Sequence, residues 1–247
     1  MAPISYFQAT VLGLVQGIAE PFPISSLGHG VILPSLFGWN IHQNDDYFLA
    51  FLVATHVATA LVLLLIFRHD WARILRGLGR SLRDREIAPG DTDARLGWLL
   101  VVGTIPAGAL GLLLENSLRA LFASAASAAA FLILNGVLLL LFERVRRRPP
   151  HPGDYRGDSD ARIARLSWRQ ALGVGTSAAG LLKLPDLLGS AGNGVRGQAA
   201  VGAVCAAVAT YFAVKFLPRF FETNRLTPFG IYCIAMGLVC TVVFALS

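Results

Sequence analysis

Glu20, Ser25, Ser26 and His29 fall within ten residues of one another in the stretch GLVQGIAEPFPISSLGHG, Gly13–Gly30. Glu20 is the first ionisable side chain of the chain and follows nineteen residues without a charge. A carboxylate in such a setting can hold a divalent cation or move a proton. An imidazole such as that of His29 serves as base or acid. Ser25 or Ser26 can attack an electrophile once a neighbouring base activates it. Gly28 and the amides freed by a broken helix can cradle an anion. Together these groups suit a phosphate ester presented from a bilayer: a hydroxyl attacks phosphorus, a cation neutralises charge and an imidazole manages the proton. Taken singly, each residue has a plainer reading. Pro and Ser are ordinary helix-break residues, and a lone His in an apolar chain is often a satisfied hydrogen-bond partner.

The elements that must position these groups are helices in a membrane. Of 247 residues 55% are hydrophobic and only 15% charged, and the mean hydropathy is +0.60. A soluble domain carries about a quarter charged residues. The expected fold is therefore all-α, a polytopic integral membrane protein forming one membrane domain over residues 1–247. Apolar runs at 48–67, 97–114, 120–142, 198–217 and 228–246 read as spans, since about twenty residues cross the hydrocarbon core. His56 is the polar exception in the first of these and reads as structural. Glu115 and Glu143, at span ends, read as interfacial.

Residues 2–38 are apolar but broken by Glu20-Pro21-Phe22-Pro23. The prolines remove backbone donors and bias the residues before them away from helix. A re-entrant pair is expected: helix in, loop at membrane depth, helix out. Such backbone is tolerated only where protein buries it or water reaches it. A second irregular region, Ala171–Gly189, is interrupted by Lys183, Pro185 and Asp186. The stretch SYFQA at Ser5–Ala9 is echoed by SWRQA at Ser167–Ala171, which points to an inverted repeat of the transporter kind. Glu20 stands twelve residues after Gln8, whereas Leu182 stands twelve after Gln170, with no acid–Ser–His cluster. The second copy thus reads as truncated.

The net charge of +6 does not imply a nucleic-acid partner. Residues 68–95 hold seven Arg and five acids, and residues 143–170 eight Arg and four acids. Both read as cytoplasmic loops by the positive-inside bias, which places 115–119 and 39–47 outside and opens the Glu20–His29 loop outward. The stretch RVRRRPPHPGDYRGDSDAR reads as a solvated linker touching anionic lipid. Cys205, Cys233 and Cys240 have no metal or disulfide spacing. A removable signal peptide is not expected, because the N-terminus lacks a basic n-region.

The stretch GLVQGIAEPFPISSLGH closely resembles the first signature of the undecaprenyl-diphosphate phosphatase family, also called the bacitracin-resistance protein family. FLVATHVATALVLLLIFRHDW resembles the family's third segment, VVGTIPAGALGLLLE its fourth and RLTPFGIYCIAMGL its C-terminal helix. The resemblance implies removal of the terminal phosphate of undecaprenyl diphosphate at the outer face of the bacterial cytoplasmic membrane. It also implies a divalent cation, Mg²⁺ or Ca²⁺. Matched onto the signature, Ser26 falls at the nucleophile with Ser25 beside it and His29 at the catalytic imidazole. Glu20 and Gln16 fall at the positions for the cation or water. A water nucleophile stays open beside Ser26, and so does the oligomeric state. Leu27 and Pro21 are mild departures from the signature.

A larger departure is the family's second signature, roughly Pro-Gly-x-Ser-Arg-Ser-Gly, which has no counterpart here. WRQALGVG runs almost directly into AAGLLKLPDLLG. The Arg of that signature is implied to bind the diphosphate, and a guanidinium fork fits phosphate oxygens. Lys183 and Arg196 are the cations that could stand in for it. The alternative reading is a family member that binds or transports polyprenyl phosphate without hydrolysing it.

Overall fold

The computed structural model describes residues 4–41, 45–114, 124–146, 195–221 and 226–246. Every regular element among them is a helix: α1 (Tyr6–Ala19), α2 (Ser26–Leu36), α3 (Asp46–Ile66), α4 (Arg68–Asp84), α5 (Thr92–Leu113), α6 (Ala125–Arg146), α7 (Arg196–Phe221) and α8 (Thr227–Leu246). Four of these, α3, α6, α7 and α8, are long and apolar enough to cross a membrane. They overlap four of the expected spans, and α5 overlaps the fifth. The protein is a polytopic helical membrane protein.

The chain forms two compact units. The first holds α1, α2, α3 as far as Leu63, α6, α7 and α8. Ser5 opens α1 with a reciprocal cap: Gln8 N–H donates to Ser5 Oγ at 3.2 Å, and Ser5 N–H donates to Gln8 Oε1 at 2.8 Å. This satisfies two amides that a helix start would leave orphaned. The helix stops before Pro21. At about 1.5 Å per residue, the fourteen residues of α1 and the eleven of α2 cover about 21 Å and about 16 Å.

Small residues let the helices of this unit approach closely. A Cβ on Gly17 would collide with the Ala206 carbonyl of α7 and lie 2.7 Å from the Ala209 methyl. Thr210 Oγ1 then donates to Gly17 O at 3.1 Å, an interhelical bond of the kind that supplements close packing in apolar surroundings. In the same way, a Cβ on Gly136 of α6 would meet Gly230 O of α8 at 2.6 Å. Phe48 and Phe51 of α3 join Ile4, Ala9 and Leu12 in one apolar cluster, and Val31 and Ile32 of α2 join Ala128, Leu132, Cys233 and Cys240 in another.

Glu143, read as interfacial from the sequence, stands near the end of α6. It is 4% exposed, and its Oε2 accepts the Leu226 N–H at 3.4 Å, just before α8. A carboxylate there is favoured by the orphan amides and positive dipole end of the helix.

The second unit includes α4 and α5. The connection at 68–95 is not irregular, because it contains the seventeen residues of α4. Arg80 grips Asp91 through Nε at 3.0 Å and Nη2 at 2.9 Å. Trp98 Nε1 donates to Ser81 Oγ at 2.8 Å. Asp91 also accepts the Ala94 N–H at 3.0 Å, capping α5. The Ala171–Gly189 segment, Lys183, most of the second Arg-rich connection and the truncated repeat lie outside the described residues.

Candidate functional site

The break between α1 and α2 brings three of the sequence-derived site residues together. Glu20 closes α1, with its backbone N–H still bonded to Gln16 O at 2.9 Å. One turn earlier on the same face, Gln16 Nε2 donates to Glu20 Oε2 at 2.8 Å. From the start of α2, Ser26 Oγ–H donates to the same oxygen at 2.6 Å. This is the short distance of a charge-assisted bond to a carboxylate. Gln16 is buried, whereas the Glu20 side chain is 27% exposed, so the carboxylate is fixed yet reachable.

Ser25 makes the turn. Its backbone is left-handed, φ 64° and ψ 84°, a conformation a non-glycine residue adopts at a cost of about 1–3 kcal/mol and that clusters at functional sites. Its Oγ accepts the Gly28 N–H at 3.3 Å. The Gly28 amide expected to cradle an anion is therefore already bonded within the turn. Asn135 of α6 holds the loop from behind, its Nδ2 donating to Pro23 O at 3.0 Å.

His29 is not brought to Ser26. It is buried at 5% exposure, with Nδ1 at 2.8 Å from Ser25 O and Nε2 at 2.8 Å from the Tyr232 hydroxyl of α8. A carbonyl oxygen only accepts, so Nδ1 carries a proton, and in the neutral ring Nε2 accepts from the phenol. The rings lie 5.8 Å apart and nearly parallel. In this arrangement the base within reach of the Ser26 hydroxyl is Glu20, and His29 braces the residue that precedes Ser26.

Two residues join the site that sequence reasoning did not place there. His56, read as structural, points Nε2 at Glu20 Oε2 from 3.8 Å, and its Nδ1 lies 2.7 Å from Leu52 O. Its signal was present: it is the polar interruption of an otherwise apolar span. Tyr232 carried no signal, because nothing in a late apolar run marks one tyrosine as a partner of His29. Arg196, a candidate to replace the missing guanidinium, opens α7 beside Tyr6, where a Cβ on Gly197 would meet the tyrosine hydroxyl at 2.5 Å. Tyr6 and Glu20 are at opposite ends of α1, about 21 Å apart along the helix, so the structure does not bring Arg196 to Glu20.

A divalent cation suits the donor types. Glu20 supplies a carboxylate and Ser26 a hydroxyl, both of which offer oxygen to a hard cation, and Gln16, its Nε2 turned to Glu20, steadies the carboxylate. Among the described residues no three His, Cys, Asp or Glu side chains converge into a metal cage. A cation at Glu20 would therefore complete its shell with phosphate oxygens and water, as Mg²⁺ commonly does.

Comparison with known proteins identifies the family. The family model described as Bacitracin resistance protein BacA matches residues 9–179. Undecaprenyl-diphosphatase 2 of Frankia alni is 37% identical over 346 residues, covering 100% of both chains. Undecaprenyl-diphosphatase of Mycolicibacterium paratuberculosis is 38% identical over 295 residues, 96% of each chain. Undecaprenyl-diphosphatase 1 of Burkholderia pseudomallei is 38% identical over 263 residues, 93% of each. All three alignments are longer than the 247 residues of this chain, so those relatives carry stretches without a counterpart here.

Proposed function

The chain belongs to the bacitracin resistance protein BacA family, and from that premise we propose that it hydrolyses undecaprenyl diphosphate to undecaprenyl phosphate and phosphate. This recycles the lipid carrier of peptidoglycan synthesis and confers bacitracin resistance. The observation that carries the mechanism is the 2.6 Å bond from Ser26 Oγ–H to Glu20 Oε2. A hydroxyl is a weak nucleophile until a base takes its proton, and here the base is already in contact. Ser26 Oγ attacks the terminal phosphorus as its proton passes to Glu20. The bond from phosphorus to the bridging oxygen breaks, and undecaprenyl phosphate leaves with that proton. Glu20, ionised again, takes a proton from the water that attacks the phosphoserine; the phosphorus–Oγ bond breaks, phosphate leaves, and the Ser26 oxygen takes that proton from Glu20. Gln16 holds the carboxylate in line throughout, and His29 fixes Ser25 so that α2 starts with Ser26 facing Glu20. Glu20 would hold a divalent cation, which would supply charge neutralisation on the diphosphate.

The helices α1 and α2 are each shorter than the roughly 30 Å hydrocarbon core. They form a re-entrant pair that sets the Glu20–Ser26 loop at membrane depth, reached from the outer side of the cytoplasmic membrane. The Arg-rich connections lie in the cytoplasm. The partners are the polyprenyl diphosphate and the bilayer, with no nucleic acid.

The test is phosphate release from undecaprenyl diphosphate by the purified full chain with Mg²⁺ or Ca²⁺, beside Ser26→Ala. Release by the wild type that Ser26→Ala abolishes is the expected result. A second reading, binding or transport of polyprenyl phosphate without hydrolysis, draws on the missing second signature. Lipid uptake by folded protein that releases no phosphate would establish it instead.

A further inference from the structure

His56 is oriented as histidines that ligate metals are. Its Nδ1 lies 2.7 Å from the Leu52 carbonyl, which can only accept, so the neutral ring carries its proton on Nδ1 and offers the Nε2 lone pair. A ligating His almost always donates its other ring N–H in this way, to a carbonyl, carboxylate or water. That lone pair faces Glu20 Oε2 across 3.8 Å. Two bonds of about 2.1 Å each bridge that gap. A neutral imidazole otherwise gains nothing there, since two lone pairs face one another. Both side chains are partly open, at 29% and 27% exposure, so an ion can reach them.

We propose that His56 is a nitrogen ligand of the cation held at Glu20, an inference that rests on the reading of Glu20 as the cation site. Carboxylate and hydroxyl oxygens alone suit Mg²⁺ or Ca²⁺, whereas an imidazole nitrogen tilts a site toward first-row transition ions. This chain therefore binds Mn²⁺ in preference to Mg²⁺ and Ca²⁺. His29 has no part in this binding, because both its ring nitrogens are engaged by Ser25 and Tyr232.

Pulsed EPR of the full-length protein in detergent, loaded with Mn²⁺ alone, reads the ligand directly. The expected spectrum carries modulation from one directly bound nitrogen. His56→Gln removes it, and His29→Gln leaves it in place. Equilibrium dialysis should give Mn²⁺ affinity about tenfold or more above that of Mg²⁺, with the gap closing in His56→Gln. Bound Mn²⁺ without nitrogen modulation, modulation that survives His56→Gln, or no Mn²⁺ binding at all overturns the inference. Should His56→Gln fail to fold, a wild-type spectrum without nitrogen modulation still overturns the inference. Phosphate release does not enter this test. A chain that binds Mn²⁺ through His56 yet releases no phosphate sinks the hydrolase reading and leaves this inference standing. Release without nitrogen ligation does the reverse.

Discussion

A single carboxylate oxygen, Glu20 Oε2, gathers Gln16, Ser26 and the nearer nitrogen of His56. Glu20→Gln keeps the shape but removes the proton acceptor, and acid–base catalysis is worth about 10²–10⁴-fold. Steady-state kinetics of Glu20→Gln should show kcat reduced by that order, and retention of a tenth of wild-type kcat would contradict the assignment. Tyr232→Phe probes the other side of the break. It deletes the donor to His29 Nε2 and leaves the ring stack, at a cost of about 1 kcal/mol for one hydrogen bond. The thermal midpoint should fall by about 2–4 °C, as a chain of this size loses for each kcal/mol. An unchanged midpoint would mean that the bond contributes nothing. At this scale the sequence was legible where partners are neighbours. Glu20, Ser26 and Gln16 lie within eleven residues, and two prolines announce the turn that joins them. His56 and Tyr232 were not legible, because their partners are 36 and 203 residues away and only the packing of α3 and α8 brings them in. His29 was legible as a polar anomaly, but the direction its ring faces was not.

Between elements, small residues set the spacing that the site needs. Gly17 is one turn from Glu20, and its missing side chain lets α1 touch the backbone of α7. Gly17→Val forces those backbones apart, and overpacking of this kind costs about 1–3 kcal/mol. The variant should lose thermal stability and phosphatase activity together, because Glu20 moves with α1. Stability lost with full activity would separate the site from this interface. In the second unit, the Ala94 backbone N–H, helped by the Arg80 guanidinium and opposed by partial burial, holds the Asp91 carboxyl below its ordinary value of 3.8. A carboxyl lowered on folding adds stability above its unfolded value, and that stability disappears as pH falls through the folded one. The gap in thermal midpoint between wild type and Asp91→Asn should therefore be full above about pH 4 and close below it; a gap that stays constant with pH would refute this. The helix that Asp91 anchors was hidden in the sequence. Six arginines between 68 and 85 dominate the composition of that stretch and make it read as a loop. The helical signal was the spacing of Trp71, Leu75, Leu78 and Leu82, on one face at steps of three and four.

For the whole molecule, composition alone implied a polytopic helical protein, since burial in lipid allows so few charges and requires helices to satisfy the backbone. What composition left open is the side of the membrane on which Glu20 is reached, and this decides which leaflet delivers the diphosphate. The argument for the outer side rests on charge asymmetry. Seven arginines at 68–95 and eight at 143–170 would, by the positive-inside bias, stay in the cytoplasm. The proposed orientation then puts the short connection before α3 outside, on the side to which the α1–α2 break would open. Two exposed positions test this. Gly79, on α4, has open space where a Cβ would project, and Asn40, after α2, is exposed. Cys233 and Cys240 are buried and Cys205 is intermediate, so Cys205→Ala provides a quiet background. In intact cells stripped to the cytoplasmic membrane, an impermeant maleimide should label Asn40→Cys at once and Gly79→Cys only after permeabilisation. The opposite pattern would invert the topology. A hydrolase so inverted would meet undecaprenyl diphosphate in the inner leaflet, where it could serve newly made lipid but not the carrier released outside.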